Sequence, residues 1–317
     1  MIIDIVLTYN IYFECINNIY SFYFEYLNYK NMLITVFTPT YNRAYILPKL
    51  YKSLKKQTCM DFEWLVVDDG STDNTSELFE KWKDERSFSI RYIKQSNGGK
   101  HRAINHGVKV AKGELFFIVD SDDTLSTEAI QRIVNQYMPI RNDMSFGGVC
   151  GLRAYHNGER IGGECDFGIL DCTSLDFRFK YHMKGDMAEV IRTSVFKEFP
   201  FPEVEGEKFC PEALVFNRIA TKYKLRYFYE KVYLCEYLED GLTASIVKIR
   251  MKSPQTSSMY YSELFHMPIS FIQKIKAAIN YWRFAYCTDC NKPKYPIGWG
   301  WICKPLGYLY HRKDIKL

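Results

Sequence analysis

The sequence lacks the features that define several large classes of protein. No stretch reaches the ~18 consecutive uncharged apolar residues that a membrane-spanning helix needs. Cysteine is scarce, with 10 in 317 residues, which excludes a small disulfide-stapled scaffold and favours reduced thiols in the cytoplasm. The six histidines form no Ser/His/Asp or Cys/His arrangement with the other residues, so covalent acyl chemistry has no support. The composition is that of an ordinary globular protein.

Acidic residues are scarce in only one part of the chain, near the C-terminus. From residue 264 to residue 317 the sequence has nine Lys or Arg and two Asp, whereas the whole chain carries a net charge of +5. The excess of basic residues therefore belongs to this segment. A general nucleic-acid-binding protein carries its basic residues over the whole binding face, so we expect no nucleic-acid partner.

Residues 1–31 differ in composition from the rest of the chain. They are rich in Tyr, Ile and Asn and contain a single basic residue, Lys30. Acidic residues interrupt the apolar run and no small-residue cleavage site follows, so the segment does not have the form of a secretory signal. We interpret it as an atypical N-terminal extension. It is either a mis-assigned translation start before Met32 or a helix packed loosely on the domain.

From Met32 onward, predicted strands and helices alternate. Segments at 33–37, 64–67, 89–93 and 115–119 are predicted strands, the first two with the character of buried strands, and each is followed by residues at helical spacing. The turn that contains Pro39 is expected to end the first strand. This order predicts an α/β fold with a mainly parallel sheet and helices on both faces. Ligands of such sheets gather at the carboxyl ends of the strands.

The fourth predicted strand runs into Asp-Ser-Asp-Asp at residues 120–123. Three carboxylates within four residues repel one another unless a cation lies between them, and their oxygens suit Mg²⁺ or Mn²⁺, which would hold a diphosphate. The alternative is that Asp123 or Ser126 caps the following helix.

Two further polar segments follow the second and third predicted strands. Residues 68–75 offer carboxylates that could accept hydrogen bonds from a base or a ribose, although every residue type there also suits a turn. Residues 97–105 place two glycines before a helix that begins with Lys100 and Arg102, an arrangement that favours an anion at the helix N-terminus. The alternative is that these two cations lie on a solvated helix face.

Taken in this order and spacing, the motifs resemble those of the family 2 inverting glycosyltransferases with the GT-A fold. The matching segments are 37–43, 66–73, 97–105 and 120–123, the last being the family's Asp-x-Asp-type element. The resemblance covers about residues 33–137. It implies a GT-A type nucleotide-diphosphate-sugar-binding fold and an enzyme that takes a sugar from such a donor with inversion.

The resemblance also implies roles for particular residues. It assigns Asp122 to the metal, Mn²⁺ or Mg²⁺, and a set of other residues to the nucleotide sugar: Thr38, Pro39, Tyr41, Asp69, Lys100, Arg102 and Asp120. The family's catalytic base is an Asp in a Glu-Asp pair at a helix start. That pair is absent here, and Glu212, after Pro211, stands in the corresponding place. Glu205 and Glu207 remain candidates, and Glu212 could instead complement the helix dipole. A polar loop at 237–243 contains Asp240, which is either a further metal ligand or part of a plain turn.

The C-terminal segment has a pattern of its own. Phe271, Ile272, Ile275 and Trp282 recur at helical spacing among basic residues, and residues 299–312 are again aromatic and basic. A cationic amphipathic helix that carries Trp can lie in an anionic membrane interface. The alternative is a helix that packs on its own domain.

We therefore divide the chain into the extension (1–31), a catalytic domain (32–245) and a basic, aromatic, helical tail (246–317). The hypothesis is metal-dependent transfer of a sugar to a glycan or lipid-linked acceptor in surface polysaccharide synthesis. The enzyme would be cytoplasmic, with peripheral attachment to the cytoplasmic face of the membrane through the tail. Two alternatives are a haloacid-dehalogenase-like phosphatase that uses Asp120 and Asp122, and a sugar-nucleotide-binding protein with a degraded site. A third alternative is a nucleotidyltransferase on a related sheet. The sequence lacks the glycine-rich basic signature that such an enzyme carries near its first strand.

Overall fold

The computed structural model describes residues 34–163, 167–235, 245–288 and 294–316. The extension at 1–31 and the loop at 237–243, with Asp240, lie outside the described residues. No helix among those described is long and apolar enough to cross a membrane.

One mixed sheet contains all the strands of the described chain. The strands are β1 (Ile34–Thr40), β2 (Phe62–Asp68), β3 (Ser89–Lys94), β4 (Leu115–Ile118), β5 (Thr124–Leu125), β6 (Phe146–Tyr155), β7 (Ile169–Cys172), β8 (Met187–Arg192) and β9 (Lys224–Cys235). Their order is β3-β2-β1-β4-β8-β6-β9-β5, and β7 also pairs with β9.

Helices connect these strands and then form the C-terminal part of the chain. They are α1 (Leu47–Lys55), α2 (Thr75–Asp84), α3 (Lys100–Val110), α4 (Ala129–Tyr137), α5 (Thr193–Glu198), α6 (Glu212–Ala220), α7 (Ile246–Lys252), α8 (Pro254–His266), α9 (Phe271–Ala285) and α10 (Lys304–Asp314).

The first four strands confirm the predicted parallel arrangement. β1 pairs in parallel with β2 and β4, and β2 pairs in parallel with β3. Beyond β4 the directions mix, because β8 is antiparallel to both β4 and β6 while β6 runs parallel to β9. Two hydrophobic clusters cover the two faces of the sheet, one built on α1, α2 and α4 and the other on α3, α5 and α6. The prediction of helices on both faces is thereby confirmed.

Strand β1 does not end before Pro39, as the sequence had indicated, but continues to Thr40. Phe37 accepts a hydrogen bond from Val119 N, so the backbone of Phe37, and by alternation that of Pro39, faces β4. Pro39 has no N–H to give to that neighbour, and the β1–β4 register ends at Phe37 and Ile118. On the other side β1 stays paired with β2 as far as Asp68. The proline therefore ends one ladder and leaves the other intact, which lets β1 and β4 diverge.

The C-terminal helices pack on one another and on the sheet domain. α9 lies between α8 and α10, and α8 contacts α6, where Arg218 and Glu263 form an ion pair of 2.6 Å. The apolar stripe around Trp282 is mostly internal, since Trp282 is 6% exposed and donates its indole N–H to Gly300 O. The neighbouring helices therefore cover the part of the stripe around Trp282, whereas Phe271 and Ile272 at the start of α9 are exposed.

Candidate active site

A cavity of about 1000 Å³ opens at the carboxyl ends of β1, β2 and β4. The divergence of β1 from β4 after Pro39 places it at the point of the sheet where open α/β folds bind ligands. Seven of the nine residues that the resemblance singles out line it: Pro39, Tyr41, Asp69, Lys100, Asp120, Asp122 and Glu212. The fold thus brings together side chains that are far apart in the sequence.

The turn at 120–123 is held from the opposite part of the sheet by Tyr233 of β9. The backbone N–H of Asp120 donates to Tyr233 Oη at 2.9 Å, and that hydroxyl donates to Asp123 Oδ2 at 2.7 Å. Burial and the nearby Asp120 raise the pKa of Asp123 to about 7. Asp123 therefore has a structural role in the turn that the capping alternative had not identified.

Lys100 joins two carboxylates that come from different parts of the fold. Its Nζ lies 2.6 Å from Asp120 Oδ1 and 2.7 Å from Glu212 Oε1, and all three side chains are between 27% and 33% exposed. Burial alone would raise the pKa of Asp120, but the charges of Lys100 and Arg153 outweigh it and hold the pKa below its usual value. Burial would lower the pKa of Lys100, and Asp120 with Glu212 raise it above its ordinary value. The ammonium is therefore fixed between the strand-end acids and the start of α6.

The glycine turn that precedes α3 is clamped by Asp69. The carboxylate accepts hydrogen bonds from Gly98 N at 2.9 Å, Gly99 N at 2.7 Å and Gln95 Nε2 at 2.8 Å. Gly99 has φ +99°, and a Cβ there would lie 2.0 Å from the carbonyl oxygen of Lys208. Asp69 thus borders the cavity and also shapes the turn from which Lys100 emerges. The sequence suggested only the first of these roles.

Two of the predicted donor contacts, Thr38 and Arg102, do not line the cavity. The fully buried Thr38 accepts a hydrogen bond from Trp64 Nε1 at 3.0 Å. The guanidinium of Arg102 donates to the carbonyls of Gly98, Val204 and Glu207 at 2.6 to 2.8 Å. Both side chains are engaged by the protein itself, and Arg102 ties the glycine turn to the loop before α6.

The structure separates the three candidate bases. Glu212 is the first residue of α6, directly after the extended Pro211, and it lines the cavity. Glu207 is buried and accepts hydrogen bonds from the backbone N–H groups of Gln255 and Thr256, so it caps the start of α8. Glu205 is exposed and lies outside the cavity lining. Of the three, only Glu212 faces the strand-end acids.

Charged residues that sequence reasoning missed line the far side of the cavity. Arg153 of β6 lies over the Tyr233 ring at 4.1 Å and donates through Nε to Met187 O at 2.7 Å. Burial raises the pKa of Glu189 of β8, against the opposing charges of Arg153 and Arg178. The available signal was a single charged residue inside an otherwise apolar strand, which rarely occurs without a partner.

The acids at 120–123 suit a divalent cation, although the described residues hold no cluster of three or more His, Cys, Asp or Glu side chains that could enclose one. Mg²⁺ is usually held by one or two carboxylates together with substrate phosphates. Asp120 and Asp122 offer that set at the cavity wall. Burial and the charge of Asp120 raise the pKa of Asp122. A cation bound there would offset both effects and favour the ionised carboxylate.

Comparison with known proteins agrees with this geometry. Residues 35–160 match the family model described as glycosyl transferase family 2. The glycosyltransferase GlyG of Streptococcus pneumoniae is 35% identical over 148 residues, which cover 46% of this chain and 45% of GlyG. The poly(ribitol-phosphate) β-N-acetylglucosaminyltransferase TarS of Staphylococcus aureus is 35% identical over 102 residues, which cover 32% of this chain and 18% of TarS. The matched region thus spans less than half of these curated relatives.

Solved structures show the same fold over a longer stretch. Residues 1–349 of S. aureus TarS in complex with UDP-GlcNAc superpose with a TM-score of 0.57 at 21% identity, over 81% of this chain and 72% of that one. A mannosyltransferase from Pyrobaculum calidifontis with GDP-Man and Mn²⁺ gives a TM-score of 0.52 at 16% identity, over 89% of this chain and 75% of that one. The family match sets aside the phosphatase alternative for Asp120 and Asp122. Residues 35–160 therefore match the glycosyl transferase family 2 model, and the chain shares the GT-A fold of these glycosyltransferase structures.

Proposed function

We propose that this protein transfers a sugar from a nucleotide diphosphate sugar to a glycan or lipid-linked acceptor by a single displacement that inverts the anomeric centre. The observation that carries the proposal is the bridge of Lys100 between Asp120 and Glu212 inside one cavity. It places a cation and acids suited to a diphosphate next to a carboxylate suited to accept a hydroxyl proton.

The proposed reaction has one chemical step. The acceptor hydroxyl gives its proton to a Glu212 carboxylate oxygen as its own oxygen bonds to the anomeric carbon, and the bond from that carbon to the diphosphate breaks. Lys100, at the start of α3, stabilises the negative charge that develops on the departing diphosphate. Mn²⁺ or Mg²⁺, when bound at Asp122 with the help of Asp120, would add Lewis-acid stabilisation of the same charge.

The relatives support the choice of donor and the biological setting. TarS has been crystallised with UDP-GlcNAc, and the P. calidifontis mannosyltransferase with GDP-Man and Mn²⁺. The name of TarS describes transfer to a poly(ribitol-phosphate) polymer. We propose by analogy that this chain acts in the synthesis of a surface polysaccharide. We also propose that it works in the cytoplasm, with the C-terminal helices in contact with the cytoplasmic face of the membrane.

A screen of nucleotide sugars for hydrolysis, with Mn²⁺ and with a chelator, tests this function. We expect one donor to be hydrolysed with the metal only, and Asp122→Asn to lower this hydrolysis by at least about 10²-fold, as the loss of a metal ligand would. Asp84→Asn, at an exposed position at the end of α2, is the matched control and should behave as the wild type. Full hydrolysis in chelator would contradict the metal assignment. Failure to bind or hydrolyse any nucleotide sugar would favour a degraded site.

A further inference from the structure

The C-terminal unit exposes a group of large apolar side chains that its own packing leaves uncovered. Trp301, Leu309 and Ile302 are each more than 60% exposed, as are Phe271 and Ile272 at the start of α9. We call the whole group the aromatic platform; its members are Phe271, Ile272, Trp299, Trp301, Ile302, Leu306, Leu309 and Tyr310. A set of this size on one small helical unit is typical of an interaction surface.

The platform begins at the mouth of the cavity. Gln273, in the first turn of α9, lines the cavity, and Phe271 lies two residues before it. The Phe271 ring stacks on Trp299 with centroids 5.1 Å apart, which connects the start of α9 to the segment that carries Trp301 and Ile302. The Phe271 and Trp299 rings therefore connect the start of α9, where Gln273 lines the cavity, to the segment that precedes α10.

Helix α10 presents its share of the platform on a fixed face. Its buried side consists of Gly307, His311 and Asp314, and a Cβ on Gly307 would lie 2.3 Å from the Cβ of Trp282, so the two helices touch closely there. Asp314 also pairs with Arg283 of α9 at 2.5 Å. Residues 306, 309, 310 and 313 follow helical spacing and share a second face beside the buried one, and this face is solvent-exposed.

The side chains around the aromatic platform are basic, which indicates the chemistry of the surface that it contacts. The sequence from 290 to 313 contains no Asp or Glu, and the next acid, Asp314, is turned inward onto Arg283. Lys304, Arg312 and Lys313 are all exposed around the apolar side chains. Exposed Trp and Tyr among Lys and Arg, with no exposed Asp or Glu among the described residues 294–316, suit the interface of an anionic bilayer. There the rings enter the headgroup region and the cations meet lipid phosphates.

We infer that the aromatic platform lies on an anionic lipid surface and holds the mouth of the cavity against that surface. The occupant is the bilayer itself, so an acceptor anchored in the same surface would reach the cavity without leaving the membrane. This part of the inference rests on the proposed function, since it specifies the lipid-linked class of acceptor. The lipid contact specifies the membrane attachment that the proposed function already includes, and its measurement needs no enzymatic activity.

Co-sedimentation of the full chain with lipid vesicles tests the inference. Vesicles of phosphatidylcholine with phosphatidylglycerol should bind the protein at low salt, and vesicles of phosphatidylcholine alone should bind it much less. The double variant Trp301→Ser/Leu309→Ser should weaken binding to the anionic vesicles by at least about tenfold, because two side chains that enter the interface are lost. Ile169→Ser is the matched control, since Ile169 is 58% exposed on β7, away from the platform, and should bind as the wild type.

The outcomes separate this inference from the proposed function. Donor hydrolysis should be the same in the double variant and the wild type, because neither residue lines the cavity. Equal vesicle binding by the two proteins, or no binding of the wild type at low salt, would overturn the inference. A dimer in solution that the double variant abolishes, without vesicle binding, would assign the platform to a second copy of the chain. Absence of hydrolysis in every protein would contradict the proposed function and leave the vesicle result unaffected.

Discussion

Lys100 neutralises part of the negative charge of the acidic residues in the cavity. Its ammonium lies within 2.7 Å of carboxylates from a strand end and from a helix start, and without it those two acids would face each other in a partly buried space. Unpaired buried charges are costly, so Lys100 stabilises both carboxylates, and its ammonium also lines the cavity in which a diphosphate would bind. The role follows from side-chain geometry rather than from sequence spacing.

Replacing Lys100 should therefore destabilise the protein. We expect Lys100→Met to lower the free energy of unfolding at pH 7 by about 1–3 kcal/mol, between the values typical of exposed and of buried pairs. Urea titration measures the change, with Lys208→Met as the control because Lys208 is exposed and donates to a neutral group, Asn97 Oδ1. The double variant Lys100→Met/Glu212→Gln should recover part of the loss. Equal stability of Lys100→Met and Lys208→Met would show that the bridge contributes nothing to the free energy of unfolding.

Asp123 should make stability depend on pH in an unusual direction. Because its pKa is raised from 3.8 to about 7, the folded protein keeps a proton that the unfolded chain has released between these values. Its contribution to stability is therefore complete below about pH 4 and is lost as the pH rises towards 7. The pKa of Asp120 is lowered, so its protonation changes the stability only below its ordinary value of 3.8, outside that pH window.

The variant Asp123→Asn removes this titration and keeps an acceptor for the Tyr233 hydroxyl. Denaturant unfolding at several pH values should show a gain in the stability of the variant, relative to the wild type, as the pH rises from about 4 to 7. A constant difference between the two proteins across that range would mean that Asp123 titrates as an ordinary carboxyl.

At the scale of elements, the turn before α3 shows how one backbone position fixes a functional side chain. Gly99 has a positive φ and lies close to the carbonyl of Lys208. The Asp69 carboxylate accepts hydrogen bonds from the backbone N–H groups of Gly98 and Gly99. A β-carbon at residue 99 would force this turn away from the loop before α6. Lys100, the next residue, would move with it.

Comparison of two glycine variants measures the combined effect of this contact and of the backbone at Gly99, whose φ of 99° and ψ of 154° lie in a region that only glycine adopts readily. Gly158 has φ +88° with no atom within 4 Å of a built Cβ, so Gly158→Ala should cost only the roughly 1–2 kcal/mol of a left-handed alanine. Gly99→Ala should cost at least about 2 kcal/mol more, because backbone atoms must shift as well. Calorimetry of both variants gives the comparison. Equal costs would show that the turn at Gly99 can relax freely.

The elements that the sequence predicted best are those with a strong local pattern. The first, second and fourth strands have mainly apolar segments followed by helical spacing, and the third is a shorter mixed segment; all four appear with end residues shifted by a few positions. Pro39 was misjudged because a proline removes one N–H, and only the three-dimensional arrangement shows that the lost bond faces β4 and not β2. The antiparallel pairing of β8 with β4 and β6 joins distant segments that have no local signal.

At the scale of the whole molecule, the sequence indicated the cavity wall made by strand ends and missed the wall made by later elements. Arg153 and Glu189 belong to strands whose neighbours are set by tertiary pairing, so their place in the cavity wall could not be derived from spacing. Arg102 is similar, because its partners at 204 and 207 are more than 100 residues away. The basic tail was recognised, but only packing shows that Trp282 is internal and that a second face of α10 is exposed.

The central claim is that the cavity holds a nucleotide sugar and that Glu212 takes the acceptor proton. The most direct test measures sugar transfer and donor binding, with the identified donor and acceptor, for Glu212→Gln beside Glu205→Gln, whose carboxylate lies outside the cavity. We predict that Glu212→Gln lowers transfer by about 10²–10⁴-fold, the usual effect of losing a general base, with little change in donor Kd. Glu205→Gln should match the wild type. Near-normal transfer by Glu212→Gln would contradict the account.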